Sequence, residues 1–144
     1  MLKDIQQHNQ EHARMSSPTL VIVEDDQANR EVLEMLLSSE TPYQLLVLKS
    51  GYEALKRVDE IIASHPVLFL LDYQLPTMTG LDLYAQLHAL PDLDAVPVLI
   101  LTAYDDPEVV AIIIDHGLPF FLKPFDINDL LQTIDRSALS AGEV

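Results

Sequence analysis

The chain has 144 residues, 49% of them hydrophobic, and a formal net charge of −15, with eight Lys and Arg against 23 Asp and Glu. A domain of this length buries roughly two-thirds of its unfolded surface, and no apolar run reaches the roughly 18–20 residues of a membrane span, so a folded domain without membrane association is expected. The charge argues against direct nucleic-acid binding, which needs clustered Lys and Arg to neutralise phosphates, and the lack of cysteine excludes disulfide and thiolate chemistry.

Residues 1–17 are polar, carry His8 and His12, and read as a tail without an apolar segment of the secretory type; a cytoplasmic location is the expectation. Leu20 to Val23 form the first strand, followed by Glu24, Asp25 and Asp26. Val32, Leu33, Leu36 and Leu37 then repeat at helical spacing, with Asp26 as a solvated N-cap. Leu45 to Leu48 form the second strand. Ser50 and Glu53 have the spacing of a capping box and open a helix carrying Leu55, Val58 and Ile62. The third strand, Val67 to Leu71, runs without a polar side chain into Asp72. After Gly80 a helix carries Leu81, Tyr84, Ala85 and either Leu87 or His88. Val98 to Leu101 form the fourth strand, ending at Thr102.

Asp106 and Pro107 are the N-cap and first residue of the next helix, which Gly117 closes. Its six consecutive apolar residues, Val109 to Ile114, cannot share one face at about 100° per residue. Val109, Ile112 and Ile113 are assigned to the core, and Val110 and Ile114 to a flank that is a candidate partner surface. Phe120 to Leu122 form the fifth strand, ending at Lys123, and Asp126 caps a last helix through Leu130, Leu131 and Ile134. The domain is bounded at 18–138, with 139–144 as a second tail. Five short apolar runs alternating with five helices describe an α/β fold, a doubly wound five-stranded parallel sheet with five helices.

In such a sheet ligands bind outside the carboxyl ends of the strands. Glu24, Asp25, Asp26, Asp72, Thr102 and Lys123 all fall at that edge. Clustered carboxylates repel unless a cation joins them, and Mg²⁺, which takes a few carboxylate oxygens together with waters and phosphate oxygens, suits a shallow acidic site. A divalent cation, an ammonium and a hydroxyl together can hold a phosphoryl group, and a carboxylate can act as its nucleophile. Asp72 is the candidate for that role. The five histidines have no ligand spacing and read as surface or packing residues.

With these residues in place the chain resembles the flavodoxin-like receiver domain of two-component response regulators across about residues 18–138. "VIVEDD" resembles the acidic segment of that family, "LLDYQLPTMTGLDL" its phosphoacceptor segment with Pro76 and Gly80, "ILTAY" its hydroxyl segment, and "FFLKPF" its lysine-proline segment. The resemblance implies that Asp72 accepts a phosphoryl group from a histidine kinase or histidine phosphotransfer protein, with Mg²⁺ held by Asp25, by Asp72, by Glu24 through water and by the backbone carbonyl of Gln74. It implies that Thr102 and Lys123 bind phosphoryl oxygens, that Ala103 leaves room for them, that the Lys123–Pro124 peptide is cis, and that Gln74 and Tyr104 tune hydrolysis. Phe120 takes the place of a switch aromatic, often tyrosine; Leu75 stands for a frequent methionine, and Glu24 for a frequent aspartate. The fourth helix, fifth strand and fifth helix would form the surface that phosphorylation remodels for a homodimer or an effector, so the implied function is a phosphorylation-dependent signalling switch and not a turnover enzyme.

Three other readings compete with this one. A haloacid-dehalogenase-like phosphatase needs a second aspartate two residues after the first, where this chain has Gln74. A flavodoxin-like cofactor binder needs a hydroxyl- and glycine-rich loop after the first strand, where this chain has three acids. A pseudo-receiver that binds partners without phosphorylation usually lacks some of the acidic or lysine residues, all of which are present here; it is the alternative kept. A single-domain regulator and a receiver within a longer protein are both compatible with the sequence.

Overall fold

The computed structural model describes residues 18–103 and 106–142, with side chains described as far as Ala138. The expected tail at 1–17 and Tyr104 lie outside the described residues. Five strands, β1 (Thr19–Val23), β2 (Gln44–Leu48), β3 (Pro66–Asp72), β4 (Val98–Ala103) and β5 (Phe120–Lys123), form one parallel sheet in the order β2-β1-β3-β4-β5. The order reverses between β1 and β3, so the crevice where ligands bind in open α/β sheets opens where Glu24 and Asp72 emerge.

The apolar runs are strands because both faces of the sheet are covered. Val21 and Val23, Phe69 and Leu71, and Val98 and Ile100 pack into one core layer; Leu20 and Ile22, Leu68 and Leu70, and Leu99 and Leu101 pack into the other. Alternate strand residues point to opposite faces, so a continuous apolar run is what two covered faces require. β2 and β5 lie at the edges and are less buried.

Six helices flank the sheet among the described residues. α1 (Gln27–Glu40) and α6 (Ile127–Gly142) cover one face through Leu33, Leu37, Leu130 and Ile134. α2 (Gly51–Lys56), α3 (Val58–Ala63), α4 (Gly80–His88) and α5 (Pro107–Asp115) cover the other. The helix expected after Ser50 is two, interrupted at Arg57, whose guanidinium pairs with Glu53 and Glu60 at 2.9 and 2.8 Å. Ser50 accepts from the Glu53 N–H, while the Glu53 carboxylate turns to Arg57 and does not return to the cap. The full capping box is at Thr79 and Asp82, at the start of α4.

Two face assignments are corrected. In α4 the buried stripe is Gly80, Leu83 and Leu87, with Tyr84 half-buried and Ala85 and His88 exposed. In α5 Val109 and Ile113 are buried, but Ile112 is 41% exposed and belongs with the flank, where Ile114 is 57% exposed and Val110 is half-buried. Asp106 caps α5 and Gly117, at φ +69°, closes it. Asp126 accepts from the Asp129 N–H, and α6 continues past residue 138, the boundary expected from the sequence.

Between β3 and α4 the chain folds into a two-residue hairpin, Gln74–Leu75 against Met78–Thr79, and the Gly80 N–H donates to Tyr73 O at 2.7 Å. A Cβ at Gly80 would meet Asp72 O at 2.5 Å, so only glycine lets α4 begin this close to the end of β3. Helix propensity alone would make Gly80→Ala stabilising by up to about 1 kcal/mol; the close approach reverses the sign. Thermal unfolding of Gly80→Ala is expected to show a loss of about 2 kcal/mol, and a melting temperature at or above wild type would refute the contact.

Candidate functional site

Strand alternation decides which polar residues meet. Leu20 and Ile22 on β1, Leu68 and Leu70 on β3, and Phe121 on β5 face the α1/α6 layer. The next residues of the same parity are Glu24, Asp72 and Lys123, which therefore reach the carboxyl edge on one side of the sheet. Lys123 Nζ lies 3.0 Å from Glu24 Oε1 and 3.2 Å from Asp72 Oδ1. Glu24 is fully buried and Asp72 is 7% exposed. Thr102 has the parity of Val98 and Ile100 and comes from the other side, on the strand whose Leu101 pairs with Asp72.

A cavity of about 200 Å³ opens here, lined by Asp25, Asp72, Gln74, Thr102, Ala103, Asp106 and Lys123. It has room for a group the size of a phosphoryl with several waters, at about 30 Å³ each. It falls below the roughly 300–1,000 Å³ of sites that take drug-sized ligands. A carboxylate and an ammonium line it together, so a small anion beside them is the size of group it suits.

Desolvation has the largest effect on Asp72. Glu24 beside it adds to that effect, Lys123 opposes it, and the Asp72 carboxyl is pushed from 3.8 up to about 8. Burial works against the Lys123 charge, but Glu24 and Asp72 outweigh burial and raise its pKa. One oxygen each of Glu24, Asp25 and Asp72 lies within 4.8 Å of the others, and Glu24 Oε2 is buried with no hydrogen-bond partner among the described residues. A buried acceptor left unpaired costs about 1–3 kcal/mol. A hard divalent cation is the partner that an all-oxygen donor set of this charge fits.

The expected residues Asp25, Asp72, Gln74, Thr102, Ala103 and Lys123 thus line one cavity, with Glu24 behind them. The Lys123–Pro124 peptide is cis. Phe120 is half-buried on β5 and packs on the core layer under α2 to α5. Asp26 is the N-cap of α1, accepting from the Asn29 N–H at 2.8 Å. His65, His88 and His116 are exposed. Asn29 and Arg30 escaped the sequence reading, and Asp106 was read there only as a cap. Asn29 Nδ2 donates to Glu24 Oε1 at 2.8 Å, and Arg30 Nη1 donates to the carbonyls of Glu24 and Asp25 at 3.1 and 2.8 Å. Asp106 accepts from the Val109 N–H as a cap and lines the cavity as well. Polar residues in the first turn of a helix look solvated in sequence; only their place directly after the acidic turn hints otherwise.

Comparison with known proteins agrees with this geometry. A family model described as the response regulator receiver domain matches residues 20–135. A two-component response regulator from Oryza sativa subsp. japonica is 33% identical over 123 residues, covering 84% of this chain and 98% of that protein. A response regulator from Synechocystis sp. is 31% identical over 121 residues, 80% of this chain and 82% of its own length. Other curated relatives are longer, and the chain spans 48% and 26% of two of them. Among solved structures, a response regulator from Chloroflexus aurantiacus superposes with a TM-score of 0.75 at 27% identity, covering 86% of this chain and 99% of that one.

The raised Asp72 pKa has a consequence for stability. The folded protein holds a proton on Asp72 between about pH 4 and pH 8 that the unfolded chain has lost, so without divalent cations stability falls as pH rises through that window. Asp72→Asn removes the penalty. It is expected to be more stable than wild type at pH 8 by about 2–3 kcal/mol, where each tenfold change in proton affinity is worth about 1.4 kcal/mol and water at the open side of the cavity screens part of the effect. The difference should close towards pH 4, as followed by denaturant unfolding in EDTA; a difference independent of pH would contradict it.

Proposed function

The chain belongs to the response regulator receiver domain family and acts in two-component signalling, and on that premise we propose that it is a phosphorylation-dependent switch with Asp72 as phosphoacceptor. The observation that carries this reading is the placement of Asp72 in a phosphoryl-sized cavity with an ammonium 3.2 Å away. An Asp72 carboxylate oxygen attacks the phosphorus of a phosphohistidine on a kinase or phosphotransfer protein. A P–O bond forms, the P–N bond breaks, and the imidazole leaves with a proton.

Lys123 offsets the charge of the incoming group and binds one of its oxygens; the Thr102 hydroxyl donates to another. Ala103 keeps the cavity wall small. Mg²⁺ held by Asp25, Asp72, the Gln74 backbone carbonyl and, through water, Glu24 would supply charge neutralisation for the transfer. Phosphorylation shifts a population because Thr102 and Lys123 gain contacts in one state that they lack in the other. Thr102 moves to the phosphoryl, Phe120 turns into the space, and the surface of α5, β5 and α6 changes its affinity for a partner. On that surface Val110, Ile114 and the exposed Ile112 form an apolar flank suited to a second copy of the chain or an effector.

Intact mass after incubation with acetyl phosphate is expected to show one added phosphoryl that requires Mg²⁺ and is lost in Asp72→Asn. No label, under conditions where a known receiver is labelled, would assign the chain to the pseudo-receivers, which bind partners without phosphorylation. For the surface, Val110→Asp with Ile114→Asp is expected to abolish phosphorylation-dependent self-association in sedimentation while leaving the labelling rate within about twofold, since surface substitutions away from a site change little. Association equal to wild type would remove α5 from the interface.

A further inference from the structure

We infer that Asn29 is a positioning residue for the cation site, an inference that rests on the Mg²⁺ site proposed above. Its place is fixed twice. The backbone N–H is held by Asp26 Oδ1 at 2.8 Å, and the side-chain amide turns back to Glu24 Oε1 at 2.8 Å. The next residue, Arg30, donates from one nitrogen to both the Glu24 and the Asp25 carbonyls. The first turn of α1 therefore grips the acidic turn by its main chain and by its buried carboxylate.

The two oxygens of Glu24 end up with different tasks. Oε1 receives two donors, Asn29 Nδ2 and Lys123 Nζ, while Oε2 is buried with none among the described residues. Rotation of the carboxylate would break both bonds, so Oε2 is held as the oxygen left for a ligand. Lys123 cannot hold Glu24 alone, because it is shared with Asp72 and an anionic group on Asp72 draws the ammonium towards itself. Asn29 is the donor that remains. Its amide suits the task because it orients the carboxylate without neutralising it: a second ammonium or guanidinium there would compete with a cation for the same charge.

The test is calorimetric Mg²⁺ titration of the purified chain. Asn29→Leu keeps the size of the side chain and removes the donor at an exposed position. It is expected to weaken Mg²⁺ binding by about tenfold or more, the usual effect of deleting a group that orients a metal ligand. Asn29→Ala serves as a second variant should the leucine perturb the helix. A dissociation constant within twofold of wild type in a folded variant overturns the inference, and a lowered metal-free melting temperature without a change in affinity reduces Asn29 to a structural role and overturns it too. Asp25→Asn separates the two levels. If wild type gives no Mg²⁺ heat, or Asp25→Asn binds as wild type does, the proposed cation site fails and the inference with it. If Asp25→Asn is impaired and Asn29→Leu is not, the cation site stands and the inference alone fails.

Discussion

Two buried carboxylates facing one ammonium are the constraint around which this chain is built. Glu24 and Asp72 would repel each other at the carboxyl edge of a dry sheet, and Lys123 holds them with bonds of 3.0 and 3.2 Å. The arrangement is unbalanced: burial and Glu24 push the Asp72 carboxyl up to about 8 against the pull of Lys123, and one Glu24 oxygen has no partner among the described residues. Groups this poorly satisfied persist only where the surrounding fold over-determines their position. Here the surroundings are the three central strands, whose side chains on both faces are almost entirely buried.

The sheet order gives that constraint its place. β1 and β3 are hydrogen-bonded neighbours from which the chain departs in opposite directions, so a crevice opens between their carboxyl ends. The walls of the crevice are set by close approaches. Gly80 starts α4 against the Asp72 carbonyl, and the Met78 side chain covers Gly51, joining the hairpin to the start of α2. The fold thus brings the acids together beside a cavity of about 200 Å³, the size of a small ion with its waters.

Much of this was legible in the sequence, and the misses have a common cause. Five apolar runs marked all five strands because both faces of a central strand are buried, and Asp72, Thr102 and Lys123 stood out because each ends such a run. Which face of a helix is buried was less legible. In α5 six successive apolar residues carry no direction of their own, and only the sheet decides that Val109 and Ile113 go inward while Ile112 does not. In α4 the sequence left Leu87 and His88 as alternatives; Leu83 and Leu87 fill the core, Tyr84 packs partly buried against it, and its ring stacks on the exposed His88 at 4.9 Å. Asn29 and Arg30 were invisible because a polar residue in a first helical turn carries no sign of whether water or a buried carboxylate receives its hydrogen bonds.

The site and α5 share more than proximity. Asp106 lines the cavity and is also the N-cap of α5, accepting from the Val109 N–H at 3.2 Å. Val109 begins the buried stripe of that helix, one residue before the flank of Val110, Ile112 and Ile114. An N-cap is worth about 1 kcal/mol, and a phosphoryl group carries roughly 1.5 to 2 negative charges at neutral pH. An anion placed in the cavity therefore meets, as one of its walls, the carboxylate that anchors the first turn of α5. The cavity wall and the first turn of α5 thus share one side chain, Asp106, whose hydrogen bond to the Val109 N–H orients the start of the helix.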